Sequence, residues 1–287
     1  MKKRKSITDI KVLRIFITIA EKLIEENKSI MVNSGQDKIF ELISHHFANE
    51  VVIPFSIWGF DLSITKYVLF MWFISGLLII VLCIAAKEFK EKTLQRPTRL
   101  MVLVESYIQF IRNDIVHPFL GSNDRIYLHF FCTQFLFILG CNLIGLFPKS
   151  VTVTSNLSVT MALAVVTFFF TQIYGMHKRG VVAYWKHLLP DGAPIFLAPL
   201  IVTNEFIGLF SKPFALMVRL FANMLAGHMI IFVLLYLSIM FQSLIVGVIT
   251  VPVAVAVNIL EILIAFIQAY IFTFLSAIFI GMAASEH

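Results

Sequence analysis

Charge is what this sequence has least of. Of 287 residues, 14% are Asp, Glu, Lys or Arg and 59% are hydrophobic, whereas soluble domains carry about 25% charged residues. That excludes an ordinary water-soluble domain, and nothing marks out a second globular core. Cysteine is scarce too. Cys83, Cys132 and Cys141 lie in apolar runs without CxxC or metal-ligand spacing, which argues against a disulfide framework or a metal site and reads as small packing residues. No internal repeat is visible, a feature that secondary transporters usually show. The net charge of +6 is no nucleic-acid footprint, because the bases sit in short loops and at the N-terminus. That placement suits anionic lipid headgroups.

What is present is apolar length. Residues 67–86, 126–147 and 157–176 are each long enough to cross a bilayer as a helix. The last third holds two longer runs, 194–241 and 244–284, roughly 70 and 60 Å of potential helix at about 1.5 Å per residue. The hydrocarbon core is only about 30 Å thick. No polar loop cuts either run, and Gln242-Ser243 is the one turn available between them. The reading is an all-α polytopic membrane protein with about five crossing helices. The last two are long and strongly tilted as a hairpin, with Pro199, Pro213 and Pro252 as expected bend points.

Interfacial amphipathic helices complete the picture. Over 98–117, Leu100, Leu103, Val104, Tyr107, Ile108, Ile111 and Ile115 fall on one face, with Glu105, Gln109, Arg112 and Asn113 elsewhere. Met1 to Lys28 carries an apolar period at Ile10, Leu13, Ile17 and Ile24 behind a basic start. It reads as a surface helix rather than a signal peptide, since Arg14 interrupts the apolar stretch and Glu21-Lys22 stand where a cleavage site belongs. Residues 29–62 read as an irregular polar segment, and Ser44-His45-His46 as solvated rather than metal-binding. Residues 1–62 then form an N-terminal segment on the outer side, and 63–287 a single membrane domain. Loops 87–99 and 177–187 are basic while 148–156 holds only Lys149. This sets the first two on the cytoplasmic side, with the N-terminus and the 242–243 turn outside and the C-terminus inside.

Against this apolar background a few polar residues stand out. Arg219 is the only formal charge between Pro213 and Leu260. Arginine stays protonated, and at mid-membrane it costs about 2.5–3.5 kcal/mol or more. The first long run also carries Glu205, Lys212, Asn223 and His228; the second carries Asn258, Glu261 and Gln268. Glu205 and Arg219 share nearly one face, and Asn258, Glu261 and Gln268 form one stripe. Folding back at 242–243 sets Arg219 level with about residue 266, beside Gln268, and His228 level with about 257, beside Asn258 and within a turn of Glu261. Outside-in, the order is a titratable pair, a fixed cation, then a lone carboxylate. That order fits two ion half-paths kept apart by a charge that cannot release a proton. A set of polar groups gluing helices together is the plain alternative.

The stretches LFSKPFALMVRLFANMLAGH (209–228), ILIAFIQAYIF (262–272), CNLIGLFP (141–148) and, weakly, SHHF (44–47) resemble subunit a of the F-type ATP synthase, the membrane stator beside the rotating c-ring. The resemblance covers most of the chain from about residue 40. It implies a non-catalytic, proton-translocating subunit with no cofactor. Its partners would be c-ring proteolipids, peripheral-stalk b subunits and lipid, not nucleic acid. Arg219 then resembles the stator arginine, and Glu205, Asn223 and Gln268 match polar positions near it. Asn142 and Thr160 match channel-lining positions. His228 and Glu261 match an access-channel pair, with acid and histidine exchanged relative to some members. Without a clear transit peptide, a bacterial inner membrane is expected. A secondary ion-coupled transporter and a structural scaffold are the competing readings.

Overall fold

A computed structural model describes residues 51–54, 56–57, 60–61, 63–91, 98–121, 124–147, 151–186, 196, 198–241 and 244–284. The expectations for residues 1–50, including the surface helix and the 44–47 motif, lie outside these described residues.

Five described helices are long and apolar enough to cross a membrane. They are α1 (Lys66–Glu91), α4 (Asp124–Gly145), α5 (Leu157–Arg179), α7 (Ala198–Phe241) and α8 (Leu244–Ala284). Each matches a run that apolar length marks out in the sequence, with α4 ending two residues before 147 and α7 starting four residues after 194. Pro213 and Pro252 lie inside α7 and α8 without ending them. Pro199 occupies the first turn of α7, where its missing N–H costs nothing. Asn156 caps α5 by accepting from the Ser158 N–H at 2.9 Å.

Two local expectations are corrected. The expected single helix over 98–117 is α2 (Arg99–Phe110), then a π-helical stretch Ile111–Val116, then α3 (His117–Leu120). The π turn, closed from i to i+5, sets Ile111 and Val116 on one side together with Ile115. Ile111, Ile115 and Val116 point into the bundle with Met101, while Leu103 and Ile108, placed on the same apolar face by period alone, are exposed. The segment thus has a bundle side and an apolar outer side. The C-terminal part of the expected irregular segment 29–62 is not irregular. β1 (Val51–Ile53) pairs antiparallel with β4 (Ile64–Thr65), and between them β2 (Ser56–Ile57) pairs with β3 (Phe60–Asp61). Short β-branched runs such as Val51-Val52-Ile53 suit this pairing, which joins the chain directly to the start of α1.

The chain divides into two compact units. One contains Ile231–Ala254; the other contains Asn49–Ile230 and Val255–His287. Everything described below lies in the second. Its core joins the π segment (Ile111, Ile115, Val116), α4 (Phe131, Phe135, Ile138), α5 (Tyr174), α7 (Leu216, Leu220) and α8 (Ala269, Phe272, Ala277, Ile280). Phe130 of α4 stacks on Phe170 of α5 at 4.0 Å between ring centroids. Close approach is bought with glycine at Gly281, where a Cβ would stand 2.8 Å from the Phe119 carbonyl oxygen. The arms α7 and α8 run antiparallel here. Lys212, in the first half of α7, lies over the Phe279 ring near the end of α8, and His228, further along α7, meets Glu261, earlier on α8. The register differs from the simple fold-back. His228 sits opposite Glu261, one turn beyond the expected level of 257.

Candidate functional site

Gly227 and His228 are adjacent on α7, and Glu261 faces them from α8. Glu261 is 1% exposed, and it reaches this depth because residue 227 has no side chain. A Cβ there would stand 2.7 Å from Oε1 and 3.0 Å from Cδ of Glu261. The carboxylate therefore lies flat against the α7 backbone, with Oε1 bonded to Nδ1 of His228.

The other side of the imidazole is held by the end of α4 and the loop after it. Nε2 of His228 meets the Gly145 carbonyl oxygen at 3.1 Å and Oγ1 of Thr152. Gly145 is the last residue of α4, so its carbonyl has no partner within the helix, and the helix dipole makes that end electronegative. Thr152 packs directly on it. A Cβ on Gly145 would approach Cγ2 and Oγ1 of Thr152 to 2.7 Å, and Thr152 Oγ1 also donates to the Gly145 oxygen at 3.4 Å. The segment Thr152–Ser155 is buried although it is loop and 3₁₀ turn. Non-helical backbone between membrane helices persists only where protein or a polar cavity surrounds it.

A second polar link lies alongside. Asn142 is buried on α4. Its Nδ2 donates to the Ala265 carbonyl of α8 at 3.2 Å, and its Oδ1 accepts from Thr154 Oγ1 at 2.7 Å. One turn of α8 separates Glu261 from Ala265, so both links grip the same stretch of helix. Further along α4, Gln134 Nε2 donates to Thr167 Oγ1 of α5 at 2.8 Å and to Ser276 Oγ of α8 at 3.4 Å.

The residues singled out in the sequence thus fall into different environments. His228 and Glu261 are brought together, and Asn142 stands nearby through Thr154 and Ala265. Thr160 is buried but its hydroxyl donates back to its own helix, to Leu157 O at 3.1 Å. Gln268 is buried, and Asn258 is half-buried. Arg219, Asn223 and Glu205 are exposed on α7. None of the three makes a side-chain hydrogen bond to another described residue. Among the described residues no three His, Cys, Asp or Glu side chains converge on a metal-sized site.

Sequence reasoning passed over Gly145, Thr152, Thr154 and Gly227, and left Gln134, Thr167 and Ser276 without a role. Thr and Ser in a short inter-span loop look solvated, and glycine gives no polar signal at all. A clue did exist: Thr152-Val153-Thr154-Ser155 carries no charge in a loop that has only Lys149.

Chemically, the site couples one imidazole and one carboxylate, packed between Gly227 of α7 and the polar end of α4. Such a pair can hold and hand on a proton. Nine residues away on the same helix, about 13 Å along the axis, an arginine points away from the chain's own core.

A family model described as ATP synthase A chain matches residues 68–281. The chain is 40% identical over 266 residues to ATP synthase subunit a of Pelodictyon phaeoclathratiforme, covering 88% of this chain and 78% of that one. It is 43% identical over 229 residues to ATP synthase subunit a of Chloroherpeton thalassium, covering 79% and 68%. With ATP synthase subunit a of Myxococcus xanthus it shares 43% identity over 226 residues, 78% and 74% of the two chains.

Proposed function

The chain belongs to the ATP synthase A chain family, whose members are in general the proton-translocating stator subunits of the membrane sector, and from that premise we propose that it supplies two half-channels to a rotating ring of carboxylate-bearing subunits, with Arg219 fixed between them. Protons enter from the outer side at His228 and Glu261 and pass to a ring carboxylate. They travel round with the ring and leave past Glu205. Asn223, Gln268, Asn258, Asn142 and Thr160 line or support this route. The chain itself carries no catalytic residue; it assembles with ring and peripheral-stalk b subunits in a bacterial inner membrane, C-terminus inside. In this reading residues 63–287 act as one membrane domain, and α7 and α8 tilt to follow the curve of the ring.

One observation carries the reading. A single helix, α7, holds a buried His228 tied to Glu261 and, nine residues on, an exposed Arg219. Around Arg219, Val218, Phe214 and Phe210 are exposed as well. A guanidinium among exposed apolar side chains at membrane depth is costly without an anionic partner. A ring carboxylate passing at about 4 Å would gain about 4 kcal/mol at an effective dielectric of 20. That is enough to keep the carboxylate ionised while it passes, and small enough to let it go.

The test is Arg219→Ala in the assembled complex, in inverted vesicles. Proton-driven ATP synthesis should be lost while the ring still co-purifies. Synthesis at the wild-type rate would instead mark a scaffold.

A further inference from the structure

The order of proton transfer between His228 and Glu261 follows from the partners of each of their four polar atoms. Nδ1 of His228 and Oε1 of Glu261 face each other. Nε2 faces the Gly145 carbonyl oxygen at 3.1 Å together with Thr152 Oγ1. The fourth atom, Oε2 of Glu261, is buried and has no hydrogen-bond partner among the described residues.

A carbonyl oxygen only accepts. With an unprotonated Nε2, two lone pairs would oppose each other at 3.1 Å. Thr152 Oγ1 lies beside the same nitrogen and can accept from it while its own proton turns to the Gly145 oxygen at 3.4 Å. Nε2 therefore carries hydrogen, shared between the Gly145 oxygen and Thr152 Oγ1. The orphan carbonyl at the C-terminus of α4 holds that N–H at 3.1 Å. The partner bonded to one imidazole nitrogen decides the state of the other. One further proton then lies between Nδ1 and Oε1, as imidazolium with carboxylate or as neutral imidazole with carboxylic acid.

We propose that His228 keeps its Nε2–H throughout turnover, and that protons enter and leave the pair at Oε2 of Glu261. This rests on the half-channel reading above and assigns its acceptor atom. A hydronium in the outer inlet gives its proton to Oε2: an O–H bond forms there, one breaks on the donor, and water remains. The pair, now carrying one additional positive charge, consists of imidazolium beside carboxylic acid. It returns to its starting state when the Oε2 proton passes to a ring carboxylate. His228 is thus a positioning residue that balances the charge of Glu261, and its Nε2 is not a relay atom.

Nitrogen-15 NMR of histidine-labelled complex in lipid vesicles tests the assignment directly. The His228 signals are those that vanish in His228→Gln. The expected result is a protonated, pyrrole-type Nε2 in the working complex, retained in Thr152→Val because the Gly145 carbonyl suffices. A pyridine-type Nε2 overturns the proposal. Passive proton uptake through vesicles stripped of the catalytic head gives a second readout, with ring co-purification as the assembly control. Glu261→Gln should lose uptake altogether and His228→Gln should keep a measurable fraction. Uptake that survives Glu261→Gln but not His228→Gln overturns it. Should either variant fail to assemble, the wild-type NMR signature decides alone. Failure of the half-channel reading would appear separately, as ATP synthesis surviving Arg219→Ala, and would leave that signature unchanged.

Discussion

Two regions of one helix are built to opposite plans. Around His228 the chain satisfies three of the four polar atoms of the acid–base pair from α4, α7, α8 and the loop between α4 and α5. It also removes two side chains, at Gly145 and Gly227, to close the contacts. Around Arg219 the described residues supply no side-chain hydrogen bond: Arg219, Asn223 and Glu205 are exposed. Both regions lie at depths where unpaired polar groups are expensive. The difference teaches that the first is finished when the chain folds; on the function proposed above, the second is finished only when a ring carboxylate arrives. Substitutions in the first should therefore damage stability and conduction together, and those in the second conduction alone.

The sharpest way to break that contrast is Gly227→Leu. Its side chain would occupy the space of the Glu261 carboxylate, displacing it from His228. Overpacking of this kind costs about 1–3 kcal/mol, and misplacement of a proton-transfer group by about 1 Å can cost on the order of 100-fold in rate. Passive proton uptake and the thermal unfolding midpoint of the purified chain should both fall. A conducting, fully stable Gly227→Leu would show that the glycine contact is incidental.

Asn223→Ala probes the open region. With no side-chain hydrogen-bond partner among the described residues, its loss should leave the stability within about 0.5 kcal/mol of the parent, while proton-driven ATP synthesis falls partly. A stability loss comparable to that of Gly227→Leu would mean that the two regions are not built differently. Thr154→Val returns to the closed region with a smaller perturbation. It leaves the buried Asn142 Oδ1 without its 2.7 Å hydrogen bond, at a cost of about 1–3 kcal/mol. Conduction should drop less than in Gly227→Leu, because the His228–Glu261 contact is untouched. An unchanged midpoint would mean that the amide has found another donor.

How far the sequence discloses these regions depends on the kind of signal. The five crossings are legible because hydrocarbon thickness imposes a length, and α1, α4, α5, α7 and α8 each exceed it. Arg219, Glu205 and Asn223 are legible because polar residues are rare in such runs, and His228 with Glu261 because folding back at 242–243 brings them within a turn. What stays hidden is set by shape. The one-turn offset between Glu261 and the expected level depends on how α7 and α8 fit together, with Gly227 against Glu261, and no residue type encodes it. The π-helical stretch Ile111–Val116 has the same apolar letters as an α-helix. Thr152 and Thr154 look like solvent-facing loop residues until the loop is seen folded against Gly145 and Asn142. The β1–β4 pairing joins two short runs that each look too brief to form a strand.

The smallest effect is expected away from both regions, at Tyr184, where the comparison can be calibrated. The short helix α6 (Val181–Lys186) follows Gly180, whose φ of 84° suits glycine. It turns the Tyr184 ring against α5, where Gly175 makes room, and the phenol donates to Gln172 Oε1 at 2.8 Å. Tyr184→Phe removes one hydrogen bond and should cost about 0.5–1.5 kcal/mol, with proton uptake unchanged. The pH dependence follows from burial, which pushes the Tyr184 phenol above its ordinary range, with nearby Arg179 opposing. A group whose pKa is raised on folding contributes stability that is complete below the unfolded value, near 10, and is lost as pH rises through the folded value. Wild-type and Tyr184→Phe stabilities should therefore differ by a constant amount across neutral pH and converge only in strong alkali. A gap that instead changed between pH 6 and 8, or that appeared in proton uptake, would tie this latch to the proton route and remove the contrast between closed and open regions as the sole organising feature of the helix bundle.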